Sequence, residues 1–379
     1  MKTGLSPKYA HKINDTAILW FHRSNRYVVV SESLYTLITL YFNSTDKKAF
    51  INALDQTLHI DPLKGKDIFN EISFFLEDAN TVSSIDHINQ TVSPSHKSSL
   101  SIERSYRFDN TIVTVHFESP IIESLIHPQI AHHYTDTASN PDIRFAIFKT
   151  NDDLHFLKNN KHIGSYKTEK FHFLQGKFAL ELTNAIHNLD IEKWIATFHG
   201  STITNGKTSI MIVGDSGNGK STLSALLMAS GLDLLADDFT PLYEDLNLYS
   251  YPASISIKKG AFSTLEPLVD GFKDLETHKT GPKKVNLKYV PPTSRTKNSK
   301  FHCQCNHIVY VTYNKDSESY IKNISVEKIL ETLIPDSWIS SHEKHARLFL
   351  DWLGQIKCYD LNYSDNAFAV SSINSLFNS

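Results

Sequence analysis

A glycine-rich stretch near the middle of the chain has the residue types and spacing needed to hold nucleotide phosphates. Residues 214–221 read G-x-x-x-x-G-K-S, an apolar run precedes them, and apolar residues at helical spacing follow as far as Gly231. Glycines let backbone N–H groups turn towards phosphate oxygens, and the N-terminus of a following helix attracts the same anion. The pattern therefore predicts an ATP-binding loop between a strand and a helix, rather than a glycine-rich turn without a ligand.

Individual side chains of this loop have separate expected roles. Lys220 can reach the β- and γ-phosphates, and the hydroxyl of Ser221 can bind Mg²⁺. ATP and Mg²⁺ are thus the expected cofactors. The other expected nucleotide-binding residues are Gly214, Asp215, Ser216, Gly217, Asn218, Gly219 and Thr222.

Two adjacent carboxylates end the next apolar run of the sequence. Asp237 and Asp238 close the segment LLADD at residues 234–238. One carboxylate can hold Mg²⁺, and the other can accept the proton of a substrate hydroxyl. Because adjacent side chains of a strand point to opposite faces, we expect the two aspartates to have different roles. The alternative is a structural pair at a turn or helix cap.

The elements that must position these residues alternate between strand and helix from residue 191 onward. This alternation predicts an α/β nucleotide-binding catalytic domain over residues 191–379. The predicted strands are Trp194–Phe198, 208–213, 232–236 and 307–311, and the predicted helices are 220–230 and Val326–Leu333.

Three further regions precede this catalytic domain. Residues 1–80 predict a β-hairpin followed by three amphipathic helices, a winged-helix-like α+β domain. Residues 81–100 are polar and serine-rich and are typical of a linker. Residues 101–190 alternate short strand-like runs with turns, including 111–117, 143–148 and 171–174, which predicts a small antiparallel β-rich subdomain.

Composition narrows the class of protein. The chain has 379 residues, of which 40% are hydrophobic and 21% charged, so it can bury a sizeable core. A net charge of −3 argues against a general nucleic-acid or anionic-membrane binder. Three cysteines fit a reducing cytosol, and neither a signal-type segment nor an 18-residue apolar run occurs. We therefore expect a cytoplasmic protein.

The motifs together resemble those of the HPr kinase/phosphorylase superfamily. There the loop reads GDSGxGKS, the carboxylates follow as VADD, and a His-Gly pair lies upstream. Here the same order is found in residues 214–221, in Asp237 and Asp238, and in His199 and Gly200. Segments 251–260, 288–292 and 358–370 look like parts of HPr-kinase-related proteins found beside peptide-modification genes.

This resemblance implies a P-loop core of the HPr-kinase/PEP-carboxykinase type and a division of roles. Asp237 would be the general base, Asp238 and Ser221 would organise Mg²⁺, and His199 would lie near the phosphates and carboxylates. Self-association is also implied. At Thr222 the family has an acidic residue, and its segment for phosphorolysis and HPr docking is absent here, so HPr is not the expected substrate.

Residues 1–80 are similar to PqqD-like peptide-recognition domains. The similarity implies that a precursor peptide binds by adding a strand near residues 27–30, against the last helix. An unrelated small winged-helix or capping domain is the alternative.

Two other segments invite a functional interpretation. Residues 302–307 (HCQCNH) do not have zinc-finger spacing, and we interpret them as an ordinary entry into a strand. The lysine-rich segment 279–300 is interpreted mainly as a solvated loop, with closure over the nucleotide or an acidic substrate as the alternative.

Three functions remain open at this point. The first is a kinase for a Ser or Thr hydroxyl on a peptide recruited by residues 1–80. The second is a small-molecule kinase, and the third is a non-catalytic nucleotide-dependent peptide chaperone. The paired aspartates favour the enzymes, since a binding protein needs no base.

Overall fold

The computed structural model describes a mixed α/β chain with several β-sheets. Its strands form sheets of three, ten, three and five members, and eleven helices occur within the described residues. No helix in these ranges is long and apolar enough to cross a membrane. Most of the expected linker lies outside them. The described residues are 4–13, 15–82, 100–136, 140–280, 285–293, 301–335 and 337–378.

The N-terminal region is a three-stranded antiparallel sheet followed by three helices. The sequence predicts the β2–β3 hairpin and the helices but misses β1, whose residues YAHKI carry little hydrophobic alternation. Ser31, Asp46 and Asp61 cap the three helices by accepting hydrogen bonds from first-turn N–H groups. The elements are β1 (Tyr9–Ile13), β2 (Thr16–Phe21), β3 (Arg26–Ser31), α1 (Glu32–Asn43), α2 (Lys47–Leu58) and α3 (Pro62–Ala79).

The second region is a five-stranded sheet in the order β4-β5-β6-β7-β8. Two expectations are wrong here. Strands β5 and β6 are parallel, and residues 171–174 begin helix α6 instead of forming a strand. A short apolar run cannot distinguish strand from helix, and here the apolar spacing continues to Phe178 and Leu182. The elements are β4 (Ile102–Phe108), β5 (Thr111–Phe117), α4 (Pro120–Glu123), α5 (His127–Ile130), β6 (Ile143–Thr150), β7 (Asp153–Lys158), β8 (Lys161–Lys167) and α6 (Phe171–His187).

The third region contains the ten-stranded sheet and a small three-stranded one. Two of the predicted elements, Trp194–Phe198 and Val326–Leu333, match the observed bounds. The strands predicted at 208–213 and 232–236 and the helix at 220–230 differ from the observed bounds by one residue, whereas the strand predicted at 307–311 extends over His302–Tyr313. The other strands and helices of this region were not predicted. The elements are β9 (Trp194–Phe198), β10 (Ser201–Thr204), β11 (Ser209–Val213), α7 (Lys220–Ala229), β12 (Asp233–Ala236), β13 (Thr240–Tyr243), β14 (Asn247–Tyr249), β15 (Ile255–Lys258), α8 (Phe262–Leu265), β16 (His278–Thr280), β17 (Val285–Val290), β18 (His302–Tyr313), β19 (Tyr320–Asn323), α9 (Val326–Leu333), β20 (Trp338–Ile339), α10 (Glu343–Leu353), β21 (Lys357–Tyr363) and α11 (Asn366–Leu376).

The large sheet runs β12-β10-β11-β18-β14-β13-β9-β20, and β21 pairs with the second half of β18. Strands β11, β18 and β21 are parallel to one another. Helices α7 and α11 cover one face, and α9 and α10 cover the other. Burial on both faces explains why β11 (SIMIV) is almost continuously apolar, without alternation. The loop after β11 therefore sits at the edge where parallel strands end.

The lysine-rich segment 279–300 is partly structured, which corrects the expectation of a solvated loop. Strand β17 lies between β15 and β16, and the ammonium group of Lys288 is buried. Its Nζ donates to the backbone oxygens of Phe272 at 2.9 Å and Lys273 at 2.8 Å. The charge pattern of the segment predicts an exposed lysine. Hydrogen bonds to two backbone carbonyl groups instead stabilise the ammonium group of Lys288 in a buried position. Residues 281–284 and 294–300 lie outside the described ranges.

The HCQCNH segment forms the first half of β18, and the side chains of Cys303 and Cys305 are buried in the core. Burial raises the pKa of Cys305 to about 12. Burial also raises the pKa of Cys303, so both thiols are protonated at neutral pH and pack in the core.

The N-terminal sheet packs on the core of the third region as well as on its own helices. Ala17, Leu19 and Phe21 face α1–α3, whereas Ile18, Trp20 and Tyr27 join the core cluster beside α10. Because successive side chains of β2 point to opposite faces, each face contacts a different core cluster and both faces are buried.

Candidate active site

The glycine-rich loop joins β11 to α7, as the sequence predicts. Gly214 and Gly219 have φ values of +149° and +87°. A Cβ on Gly214 would lie 2.6 Å from the carbonyl oxygen of Val311, and one on Gly219 would lie 2.8 Å from Oη of Tyr363. Only glycine fits these two positions, because both the backbone conformation and the available space exclude a side chain. The loop is therefore held tightly against the ends of β18 and β21.

Lys220 is folded inward beneath the loop. Its side chain is buried, with 7% relative exposure, and Nζ donates to the backbone oxygens of Gly214 at 2.6 Å and Asp215 at 3.3 Å. Helix α7 begins at Lys220, and no side chain described here caps its first turn. A buried ammonium group and an uncapped helix N-terminus together form a site suited to an anion.

The remaining loop residues occupy the outer part of the turn. Asp215 accepts a hydrogen bond from Oη of Tyr310 at 3.0 Å, and the N–H of Asn218 donates to the oxygen of Asp215 at 3.2 Å. Ser216 and Gly217 lie at the exposed tip. Thr222 lies half-buried in the first turn of α7, next to Ser221.

Asp237 lies directly after β12 and contacts the loop helix. Its carboxylate accepts from the hydroxyl of Ser201, and the hydroxyl of Ser221 lies 3.3 Å from each of its oxygens. The side chain is 5% exposed. Burial, together with the negative charge of Asp238, raises the pKa of Asp237 to about 7. A carboxyl group in this state can exchange a proton near neutral pH.

Asp238 does not continue strand β12, so the alternation expected for a strand does not apply to it. Strand β12 ends at Ala236, and Asp238 has a left-handed backbone with φ of +58°. A turn in the backbone and a difference in burial, rather than alternation along a strand, therefore distinguish Asp238 from Asp237. The Asp238 side chain is 45% exposed, and its Oδ1 lies 3.8 Å from Nε2 of His199.

His199 and Gly200 connect β9 to β10, which pairs with β12 in an antiparallel register. A Cβ on Gly200 would lie 3.0 Å from the backbone oxygen of Ile212, so the connection approaches the loop strand closely. This packing brings three motifs that are distant in sequence to one place: the loop, the aspartates and His199.

A cavity of about 660 Å³ opens from the aspartates. Asp237, Asp238 and His199 line it, together with residues of helix α6, the α4–α5 segment and strand β17. The walls are mainly apolar, with a few polar groups. The polar wall residues include Gln129, Gln175, Tyr251, Ser254, Lys279 and Tyr289. Tyr251, Ser254 and Tyr289 belong to the segments 251–260 and 288–292 that carry the family resemblance, whereas no motif marks Gln129 or Gln175.

No family model and no curated protein matches the sequence. Among solved structures, the chain matches the HPr(Ser) kinase/phosphatase from Coxiella burnetii, with 12% identity and a TM-score of 0.21. The match covers 48% of this chain and 94% of that protein. A likeness of this size does not define the fold, so the function proposed below rests on the site itself.

Proposed function

We propose that this chain is an ATP- and Mg²⁺-dependent kinase that phosphorylates a Ser or Thr hydroxyl of a peptide or protein. The observation that carries the proposal is that Ser221, at the end of the glycine-rich loop, contacts one of two carboxylates that line a cavity. Ser221 contacts Asp237, and Asp238 opens into the space where an acceptor can enter. Phosphoryl transfer needs a phosphate cradle, a metal site and a positioned acceptor, and the site supplies residues for each.

On the nucleotide side, the loop amides and Lys220 would bind the phosphates. The hydroxyl of Ser221 and the carboxylate of Asp237 would hold Mg²⁺, since hard oxygen donors suit this cation. Mg²⁺, when bound, neutralises charge on phosphoryl oxygens. The raised pKa of Asp237 fits such a site, because a cation would displace the proton that burial favours.

On the acceptor side, Asp238 is the better placed general base. It is half-exposed within the cavity, whereas Asp237 is buried against two hydroxyl groups. His199 lies beside Asp238 and can orient its carboxylate. This assignment exchanges the two aspartate roles that the family resemblance implies, in which Asp237 is the base.

Recruitment of a peptide is assigned to the N-terminal sheet. Strand β3 pairs only with β2 within the described residues, so its other edge has unpaired N–H and C=O groups. Such an edge can accept an extra strand from an extended peptide. Arg26, at the start of β3, donates to Asp78 of α3 at 3.0 Å, which places the end of that helix beside the edge.

A small-molecule kinase is the second candidate, favoured by the shape of the cavity. A mostly apolar space of about 660 Å³ is in the range of small-ligand pockets. One side chain of a peptide or a compact hydroxylated molecule would both fit this volume.

The test is incubation of the full chain with γ-labelled ATP, Mg²⁺ and the peptide encoded beside its gene. We expect label on a Ser or Thr of the peptide with the parent chain and no label with Lys220→Ala. Slower hydrogen exchange of the amides of Arg26–Ser31 with peptide present would support docking at β3. Transfer only to small hydroxyl compounds would favour the second candidate. Nucleotide binding without transfer to any acceptor would overturn the kinase proposal.

A further inference from the structure

An exposed aromatic ring lies beside the phosphate loop, on the side opposite the aspartates. Tyr313 is the last residue of β18, and its ring is 47% exposed. Its backbone N–H donates to the oxygen of Asn218 at 3.3 Å, and its Cβ lies 3.2 Å from where a Gly219 side chain would begin. The ring is thus fixed next to the loop without being part of the glycine-rich motif.

The neighbouring groups hold this ring in place. The ring of Tyr363 is 1% exposed and packs edge-on against it, with centroids 5.3 Å apart. The N–H of Asn314 donates to the oxygen of Tyr363 at 2.9 Å, and Asn362 Nδ2 donates to Oγ of Ser317 at 2.7 Å. These bonds tie the turn after β18 to the end of β21. A large exposed ring on such a rigid support is preorganised for contact with a flat ligand.

The strand order defines which part of a nucleotide can reach this ring. The aspartates follow β12, which lies on one side of the loop strand β11 with β10 between them. Strands β18 and β21 lie on the other side of β11, and all three parallel strands end at the same edge. A triphosphate with its terminal phosphate at the aspartates therefore extends its nucleoside towards β18 and β21. Ligands of parallel α/β sheets bind along this edge.

We infer that the ring of Tyr313 is the platform on which the base of the bound nucleoside triphosphate stacks. The inference rests on the proposed phosphate site and adds a base subsite to it. Stacking uses the flat face of the base and is tolerant of its identity. The subsite therefore selects nucleotides over bare polyphosphate, and it accepts GTP nearly as well as ATP.

The experiment compares binding of Mg·ATP and Mg·tripolyphosphate to the full chain by calorimetry. Tyr313→Leu should weaken ATP binding about tenfold and leave tripolyphosphate binding unchanged, because only ATP has a base. Tyr313→Trp should restore ATP affinity. Tyr320→Leu is the matched control, since Tyr320 is also an exposed tyrosine, at 40%, but lies on β19 beyond β21. Unchanged thermal melting would show that Tyr313→Leu is folded.

The outcomes separate this inference from the proposed function. Equal weakening of ATP and tripolyphosphate in Tyr313→Leu, or no weakening of either, would overturn the base subsite and leave the phosphate site intact. If Lys220→Ala binds both ligands as tightly as the parent chain, the phosphate site is wrong. If the parent chain binds neither ligand, both proposals are wrong.

Discussion

The hydroxyl of Ser221 lies 3.3 Å from both carboxylate oxygens of Asp237. This contact joins helix α7, which follows the glycine-rich loop, to the residues directly after β12, across 16 residues of sequence. Of the two aspartates, Asp237 thus contacts the helix that follows the loop, and Asp238 is the more exposed residue in the cavity. We therefore expect substitution of Asp237 and substitution of Asp238 to have different effects on activity.

Asp238→Asn should remove the group that accepts the proton of the substrate hydroxyl while preserving nucleotide binding. We expect kcat to fall about 10²- to 10⁴-fold, the usual contribution of a general base, with little change in ATP affinity. Asp237→Asn should instead raise the Mg²⁺ concentration needed for half-maximal activity. Magnesium titrations of both variants, with the parent as control, distinguish the roles. If Asp237→Asn is inactive at every Mg²⁺ concentration and Asp238→Asn responds to added Mg²⁺, the assignment implied by the family resemblance is right instead.

The titration of Asp237 should make stability depend on pH. Its pKa is raised to about 7 in the folded chain by burial and by Asp238, above the ordinary value of 3.8. The folded state therefore binds more protons than the unfolded state between these values, and stability contributed by this group falls as pH rises from about 4 to 7.

Asp237→Asn removes this titration and should stabilise the metal-free protein at pH 8, by on the order of 2 kcal/mol. The gain should shrink at pH 5, where the parent side chain is already protonated. Denaturant unfolding with a chelator present measures the difference. Asp238→Asn is the control and should give a smaller gain, because Asp238 is half-exposed. A stability difference that does not vary between pH 5 and 8 would contradict the raised pKa.

The loop, the carboxylates and the main core elements could be predicted from sequence because each is a local pattern. The spacing G-x-x-x-x-G-K-S predicts the loop, and apolar residues at a 3.6-residue period predict the helix Val326–Leu333. The alternation expected for Asp237 and Asp238 does not apply, because both residues follow the end of β12 at Ala236 and Asp238 has a left-handed backbone. Residues 237–239 form the bend between β12 and β13, and the apolar pattern of a strand does not predict the conformation of such a bend.

Tertiary contacts account for the other differences. Lys288 is buried because carbonyl groups of a distant turn accept its hydrogen bonds. The cavity walls bring α6 and β17 beside the aspartates, although these segments lie far apart in sequence. Tyr313 has no motif of its own, and its contacts with Asn218, Gly219 and Tyr363 exist only in the folded chain. Such features depend on which elements meet, so a single sequence does not predict them.

Gly219→Ala should disrupt the phosphate loop. Gly219 has φ of +87°, and an added Cβ would meet Oη of the buried Tyr363 at 2.8 Å. Strain and crowding should cost about 1–3 kcal/mol of stability and weaken ATP binding at least tenfold. Gly260→Ala is the matched control, because its Cβ would enter open space and its backbone is not left-handed. Equal ATP affinity in the two alanine variants would show that the loop does not need this conformation.

The contact between the N-terminal sheet and α10 can be tested at Tyr27. Its ring packs edge-on against Phe349, with centroids 5.2 Å apart, while its buried hydroxyl has no hydrogen-bond partner among the described residues. Tyr27→Phe should therefore stabilise the fold by about 1 kcal/mol, since an unsatisfied polar group is removed and the ring kept. Tyr27→Ala should destabilise it by about 3 kcal/mol through the lost ring contacts.

Denaturant unfolding of the three proteins provides the measurement. A destabilised Tyr27→Phe would mean that the hydroxyl is satisfied in solution, and a neutral Tyr27→Ala would mean that the sheet does not pack on α10.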